Sequence, residues 1–368
     1  TSHSHLDRRN AMVECHRFGP TTVAKLGDPH ELKKLLSDPW LKSDTVIIKP
    51  NLVASVPGVA TDPRSLRVLL EVLDSRVIVV ESHIVARSMK LANSSRWGDA
   101  PAEDGVSITV KGKKVNLIWL LVSDEGWKWL LKKPDWEWFR EGGYWDQIKR
   151  EEKEFLDARG YTDLFKEFGV EYVNVTDEIW SGRAADPTEV KQAVESRFEP
   201  AFTEKLYGLV PKRLYDLRGS TFISYAKMQP YNSFTLKNMF GLIPDPLRAW
   251  WHGYKHAKLG KSIVDVNKVY CSLFNVYGIV ETLYANPIVD SSGEYVDPAG
   301  IRFKVVENMG VVALGRELVS LDAIFCNLAG FDMSQYGDHI GKAEKVFGAY
   351  DRETLRESKV KVGSWLPH

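Results

Sequence analysis

The sequence predicts an α/β fold: a mostly parallel open sheet flanked by helices, with a tryptophan-rich insertion subdomain. Three observations predict it. The stretch Thr45–Ser82 reads as strand, loop, helix, strand, which is a βαβ unit with an expected right-handed crossover. Short β-branched runs alternating with helical patterns return at Tyr161 and continue through the last third. Between these parts the alternation breaks, and seven of the 12 tryptophans fall between Trp97 and Trp145. The expected organisation is therefore 1–82 as the first part of an α/β domain, 83–160 as the insertion, and 161–368 as the remainder.

Taken in order, Ala11–Cys15 is expected to pair at a sheet edge, and Asp28–Leu36 to be helical with Asp28 as cap. His3, His5, Cys15 and His16 lack zinc-type spacing, so a frayed terminus and a surface strand account for them. Thr45–Ile48 is a short apolar run suited to a strand buried on both faces. Lys49-Pro50-Asn51 ends it, because proline removes a ladder donor and holds Lys49 extended. A loop from Leu52 to Ala60 turns at Pro57-Gly58. Thr61-Asp62-Pro63 then starts a helix, with a capping oxygen followed by proline in the first turn. Leu66, Leu69, Leu70 and Leu73 sit at helical spacing, and Arg76–Val80 is a second buried strand closed by Glu81-Ser82. Ligands of open α/β sheets gather at the carboxyl ends of the strands. Lys49, Asn51, Glu81 and Ser82, with Asp62 at the adjacent helix start, mark where a site is expected.

In the insertion, Val106–Val110 and Lys114–Leu117 flank Lys111-Gly112-Lys113 as a hairpin. Trp127, Trp129, Trp136, Trp138, Tyr144 and Trp145 follow on short helices or loops. An aromatic mini-core that packs the insertion onto the main domain is the favoured reading, and a lid or partner surface the alternative. Asp163–Phe168 is a helix closed by Gly169, and Val170–Val175 a strand. Asn174, Thr176, Asp177 and Glu178 cluster at that strand's end, on the same edge as Glu81 if the strand is parallel. A helix is expected from Thr188, and Ser220–Ala226 is a strand ending in Lys227. A turn at Gln229–Asn232 leads to Thr235–Gly241. Asp245-Pro246 is expected to open one helix with Arg248, His252, Lys255, His256 and Lys258 on a basic face. His252 and His256 share a face at that spacing but have no third ligand nearby. In the last third a strand spans either Cys271–Val276 or Val276–Glu281, a Pro/Gly loop runs from Pro287 to Gly300, and Val311–Leu314 is a strand. The helix Leu318–Leu328 carries Asp322 on a mostly apolar face, where a carboxylate needs a partner. A lysine from a strand end is the obvious candidate.

Composition bounds the function. The 368 residues are 44% hydrophobic and 27% charged, ordinary for a globular protein. Lys plus Arg equals Asp plus Glu at 49 each, which argues against a general nucleic-acid binder. Cys15, Cys271 and Cys326 are far apart and form no CxxC, so neither an iron–sulfur or zinc site within the chain nor a disulfide framework is expected, and a cytoplasmic setting follows. Thr1–Asn10 is polar, without a signal-peptide segment, and the apolar run Leu117–Val122 is too short to span a bilayer. No Walker A, GxGxxG, HExxH or GxSxG motif is present.

Several motifs together carry a resemblance. Val46-Ile47-Ile48-Lys49-Pro50-Asn51-Leu52-Val53, Thr61-Asp62-Pro63, Val79-Val80-Glu81-Ser82, Lys227, Leu236–Leu242, Ile263-Val264-Asp265, Met309–Val312, Ser320–Ala323 and Gly330-Phe331-Asp332 resemble, in order, the family catalogued as domain of unknown function 362. The resemblance covers most of the chain apart from the insertion and both tails. The N-terminal α/β unit also looks distantly like that of nickel-pincer lactate racemases, at fold level only. Some members are fused to ferredoxin-type iron–sulfur modules, which implies redox chemistry in those members. This chain lacks the cysteines, so a cluster would come from a partner. The chain departs from the family pattern at Gln229, Tyr231, Tyr277 and Arg316-Glu317-Leu318.

Three function classes are carried forward. The first is a small-molecule enzyme of unnamed reaction and cofactor, with or without a metal. In it Lys49, Asp62, Glu81, Lys227 and Asp265 are the catalytic candidates, and Asn51, Lys237, Asn238 and Asp322 bind an anionic substrate or cofactor. The second is a redox accessory working with an iron–sulfur protein partner. The third is a noncatalytic ligand-binding protein using the same cleft. Neither nucleic acid nor membrane is an expected partner. The lysines near one strand edge outnumber the carboxylates seen there, which points to a small anion as ligand.

Overall fold

A computed structural model describes residues 13–36, 41, 43–92, 101–297 and 300–367. His3, His5, Ala11 and Trp97, named above, lie outside the described residues. The strands are β1 (Glu14–Phe18), β2 (Thr21–Lys25), β3 (Thr45–Pro50), β4 (Arg76–Glu81), β5 (Ser107–Val110), β6 (Lys113–Asn116), β7 (Glu171–Asn174), β8 (Thr221–Lys227), β9 (Asn275–Glu281), β10 (Asn286–Val289), β11 (Tyr295–Val296), β12 (Arg302–Val306) and β13 (Val311–Gly315). Eight of them form one sheet in the order β1-β2-β13-β9-β8-β3-β4-β7. The five strands from β9 to β7 run parallel, and β13, β2 and β1 extend the sheet through antiparallel pairings. The chain is therefore an α/β protein with a mixed, mostly parallel sheet flanked by helices.

Strand alternation sorts the core into two layers. Ile47, Ile78, Phe222 and Val276 pack on one face. Val46, Ile48, Val77, Val79, Ile223, Tyr225 and Ile279 pack on the other. The helix Pro63–Val72 follows β3 with Asp62 as N-cap, and buries Leu66, Val68, Leu69 and Leu70. The helix Leu318–Leu328 follows β13 and is buried along almost its whole length.

One open choice is decided, and two sequence expectations need correction. Cys271 belongs to the helix Leu259–Leu273, so β9 takes the later of the two spans considered. The stretch expected as a loop after Pro287 instead contributes β10 and β11 to a small antiparallel sheet with β12; strands this short, set among turn residues, give too few apolar alternations to be read as strands. The basic helix after Pro246 is broken into Ala249–His252 and a 3-10 turn Tyr254–His256, because Arg248, Gly253 and Lys255 all take positive φ.

Within 83–160, β5 and β6 form the expected hairpin. Trp136 and Phe139 are buried, and Trp129, Trp138, Phe139 and Tyr144 pack in sequence. Phe139 and Trp145 both meet Trp180, which follows β7, so the aromatic cluster is tied to the main sheet. Among the described residues no helix is long and apolar enough to cross a membrane.

Candidate functional site

The carboxyl ends of the parallel strands carry two lysines flanked by two glutamates. In the sheet order, β9 ends in Glu281, β8 in Lys227, β3 reaches Lys49 and β4 ends in Glu81. Each lysine takes one glutamate. The Lys49 Nζ donates to Glu81 Oε2 at 2.8 Å, to Asn238 Oδ1 at 3.2 Å and to the Pro50 carbonyl at 2.8 Å. Lys227 Nζ donates to Glu281 Oε1 at 3.3 Å, to Asn286 Oδ1 at 3.3 Å and to the Tyr284 carbonyl at 2.6 Å. All four charged side chains are buried. Burial pushes Lys49 down to about 8, against the pull of Glu81.

From Glu81 a buried ionic chain runs outward. Glu81 Oε2 lies 3.3 Å from Arg87 Nη2, and Arg87 Nη1 donates to Glu152. Glu152 also accepts from Tyr172 and, at 3.1 Å, from Asn174 Nδ2. His83 joins the chain between Glu152 Oε2, 3.1 Å from Nδ1, and Asp177 Oδ1, 3.0 Å from Nε2. The Trp145 indole donates to the same Asp177 oxygen at 2.7 Å. Burial would raise the Glu152 carboxyl, but Arg87 and His83 outweigh it and hold it well below the usual range. Burial would lower His83, but the Glu152 and Asp177 carboxylates more than offset it and hold its pKa up. His83, Glu152, Asn174 and Asp177 line a cleft of about 380 Å³ whose rim carries Lys149, Lys153 and Arg183. β7 is parallel to β4, so this acidic corner does lie on the edge that carries Glu81.

A second grouping surrounds Lys237. This side chain is half-buried on the short helix Thr235–Met239. Its ammonium sits 3.9 Å from the centre of the Tyr231 ring, and among the described residues it makes no hydrogen bond or ion pair. The Tyr231 hydroxyl donates to Asp297 Oδ2 at 2.8 Å, and the Ile301 amide donates to Asp297 Oδ1 at 2.9 Å. Burial brings Lys237 down to about 8; Asp297 opposes this, while Arg248 and Lys49 add to it. Arg248 is itself buried, donates to Ser82 Oγ at 2.8 Å and to the Gly241 carbonyl at 3.1 Å, and is pushed down to about 10 by burial. Nearby His252 is pushed down to about 3 by burial, so it is neutral, and its Nδ1 donates to the Arg248 carbonyl at 2.8 Å.

The structure thus brings Lys49, Glu81 and Asn238 into direct contact and puts Lys237 within their electrostatic reach. It disperses the other candidates. Lys227 ends on the same edge, but its strand position puts it on the opposite face of the sheet from Lys49, with its own glutamate. Asp62 caps the helix Pro63–Val72 and pairs with Arg64 at 2.8 Å. Asn51 closes its loop through Thr61, whose Oγ1 accepts from the Asn51 amide at 2.8 Å and whose amide donates to the Asn51 carbonyl at 2.7 Å. Asp265 pairs with Lys268 at 2.7 Å and accepts from the Phe202 amide at 2.7 Å. Asp322 takes no lysine: it accepts the amides of Phe234, Thr235 and Leu236 and the Thr235 hydroxyl, at 2.6–3.0 Å. A carboxylate satisfied by four donors needs no ammonium, although burial still pushes it up to about 6. Among the described residues no group of three His, Cys, Asp or Glu is placed to hold a metal ion.

Sequence reasoning missed Glu281, Arg87, Glu152, His83 and Asp297. Glu281 carried a readable signal, since Val280-Glu281-Thr282 repeats the Val80-Glu81-Ser82 ending of β4. Arg87 and Glu152 carried none, because an ion pair across 65 residues leaves no local pattern.

The model of a family described as domain of unknown function (DUF362) matches residues 142–327, just over half of the chain. The matched span takes in Lys227, Lys237, Asn238, Asp265 and Asp322, and leaves out Lys49, Asp62 and Glu81. No curated protein and no solved structure matches this chain.

Proposed function

This chain belongs to the family described as domain of unknown function (DUF362), and on that premise we propose that it is a small-molecule enzyme whose anionic substrate or cofactor is held at the carboxyl edge of the sheet by Lys237. The observation that supports the reading is a charge imbalance. Lys49 and Lys227 are each neutralised by a buried glutamate. Lys237 makes no ion pair among the described residues; Asp297, hydrogen-bonded to Tyr231, favours its charge, while burial, Arg248 and Lys49 work against it. Like charges held together raise the energy of the empty site, and a bound anion relieves it. The sequence offers Lys49, Lys227 and Lys237 together as anion-binding lysines, and of the three we assign the anion to Lys237.

Thermal melts test this. An anion at ten times its dissociation constant stabilises by roughly 1.4 kcal/mol, so phosphate should raise the melting temperature beyond the effect of chloride at equal ionic strength. Lys237→Ala should lose that rise, and Lys261→Ala, which removes an exposed lysine elsewhere, should keep it. The variant comparison matters because such salts also stabilise by exclusion from the protein surface. An undiminished phosphate response in Lys237→Ala overturns the reading.

A further inference from the structure

We propose that Lys237 is an amine nucleophile that condenses with the carbonyl carbon of 2-oxo acids, with Tyr231 and Asp297 as the proton-handling pair beside it; this rests on the reading that Lys237 faces an anionic ligand. Four features of the geometry point there. Lys237 is half-buried, and its amine makes no hydrogen bond or ion pair among the described residues. Its helix is clamped at the start by the four bonds to Asp322, so the side chain projects from a fixed base. The Tyr231 ring lies against the ammonium, and its hydroxyl is hydrogen-bonded to Asp297, which the Ile301 amide fixes from the other side. Burial favours a neutral amine, and the cationic neighbours Arg248 and Lys49 add to it against the opposing pull of Asp297; a neutral amine is what acts as a nucleophile near neutral pH.

The chemistry balances without an oxidant or reductant. The neutral amine attacks the carbonyl carbon, a C–N bond forms, and the C=O π electrons move to oxygen. That oxygen takes a proton from the Tyr231–Asp297 pair, and the nitrogen gives one back to the pair. The pair then protonates the carbinolamine hydroxyl, which leaves as water while the nitrogen lone pair forms the C=N bond of an iminium joined to Lys237. The carboxylate beside the carbonyl carries the negative charge that the cationic surroundings favour, so 2-oxo acids fit better than simple aldehydes.

The experiment uses pyruvate as probe and borohydride as trap on the purified chain. Wild type incubated with pyruvate and reduced should gain the mass of one reduced pyruvyl group, and peptide mapping should place it on Lys237. Lys237→Arg should lose the adduct. Tyr231→Phe keeps the ring against the ammonium and removes the proton group, so it should slow trapping while leaving the phosphate-induced melting shift in place. An adduct spread over surface lysines, or none at Lys237, overturns the proposal even if Lys237→Arg fails to fold, because the mapping is done on wild type. If phosphate or pyruvate raises the melting temperature and no adduct forms on Lys237, the nucleophile falls and the anion site stands. If neither occurs, both fall.

Discussion

Asp322 shows how a single residue's role depends on what its neighbours leave unsatisfied. An aspartate on an apolar helix face invites a search for a cation. Here the need lies with the backbone: the segment at Phe234, Thr235 and Leu236 has amides with no helical acceptor, and Asp322 takes all three together with the Thr235 hydroxyl. The residue therefore positions Lys237 and Asn238 from beneath without touching either. Asp322→Ala should leave those donors buried and unpaired, at a cost of about 3 kcal/mol, read by urea denaturation. Asp322→Asn keeps one acceptor oxygen and should lose less. An alanine variant as stable as wild type would mean that the segment finds other acceptors, and the clamp is not what holds Lys237 in place.

At the scale of elements, the segment from Thr235 to Leu242 explains its own composition. Its Asn238 bridges β3 and β8, accepting from Lys49 Nζ and donating to the Lys49 carbonyl at 2.7 Å and to Ser224 Oγ at 3.1 Å. Gly241 lies directly over the Lys49–Glu81 pair, where an added Cβ would sit 2.5 Å from Lys49 Nζ and 2.9 Å from Glu81 Oε1. Glycine is required there by close approach, and its carbonyl also accepts from Arg248. Gly241→Ala should separate the pair or lift the segment, costing about 2 kcal/mol by the overpacking range, and it should blunt the phosphate response by moving Lys237. Retention of both stability and ion response would show that the segment shifts freely. Elements of this kind were legible in the sequence as existence and order. β3, the capped helix Pro63–Val72, β4, β8 and the helix Leu318–Leu328 all follow from apolar periodicity and cap residues. The break at Gly253 and the β10–β12 sheet were not, because positive φ at Arg248 and Lys255 and pairing between very short strands are set by tertiary contacts.

On the scale of the whole molecule, the sheet edge is wired by charge. The order Glu281, Lys227, Lys49, Glu81 across four neighbouring strands makes the edge neutral in pairs, and the chain through Arg87, Glu152 and His83 carries it to the cleft beside Asp177. The strand-end lysines and Glu81 could be read from strand endings, but which carboxylate each takes depends on strand order, which local pattern does not encode. Glu152 is the link whose removal should be most visible, since it joins Arg87, His83, Tyr172 and Asn174. Its carboxyl is held below its ordinary value of 4.5 in the folded protein. The stability it contributes is therefore fully present above that value and is lost as pH falls below it, because the unfolded chain then binds the proton more readily. His83 is raised above its ordinary value of 6.5, so its share is present below that pH and fades as pH climbs through the folded value. Glu152→Gln breaks the chain in the middle and leaves Arg87 paired with the Glu81 carboxylate and the Leu52 carbonyl, so it should cost about 3 kcal/mol at neutral pH. It should also flatten the acid limb, because the group that lost its proton affinity on folding is gone. His83 loses its Nδ1 carboxylate in the same variant, so its imidazole should titrate at lower pH than in wild type, which can be followed by the ring-proton resonances. Urea denaturation of both proteins across the acid range supplies the comparison. Equal loss of stability on acidification in wild type and Glu152→Gln would mean that other carboxylates, with Asp62 and Asp177 the first to test, set the acid limb, and that the chain from Glu81 to Asp177 is a set of independent pairs.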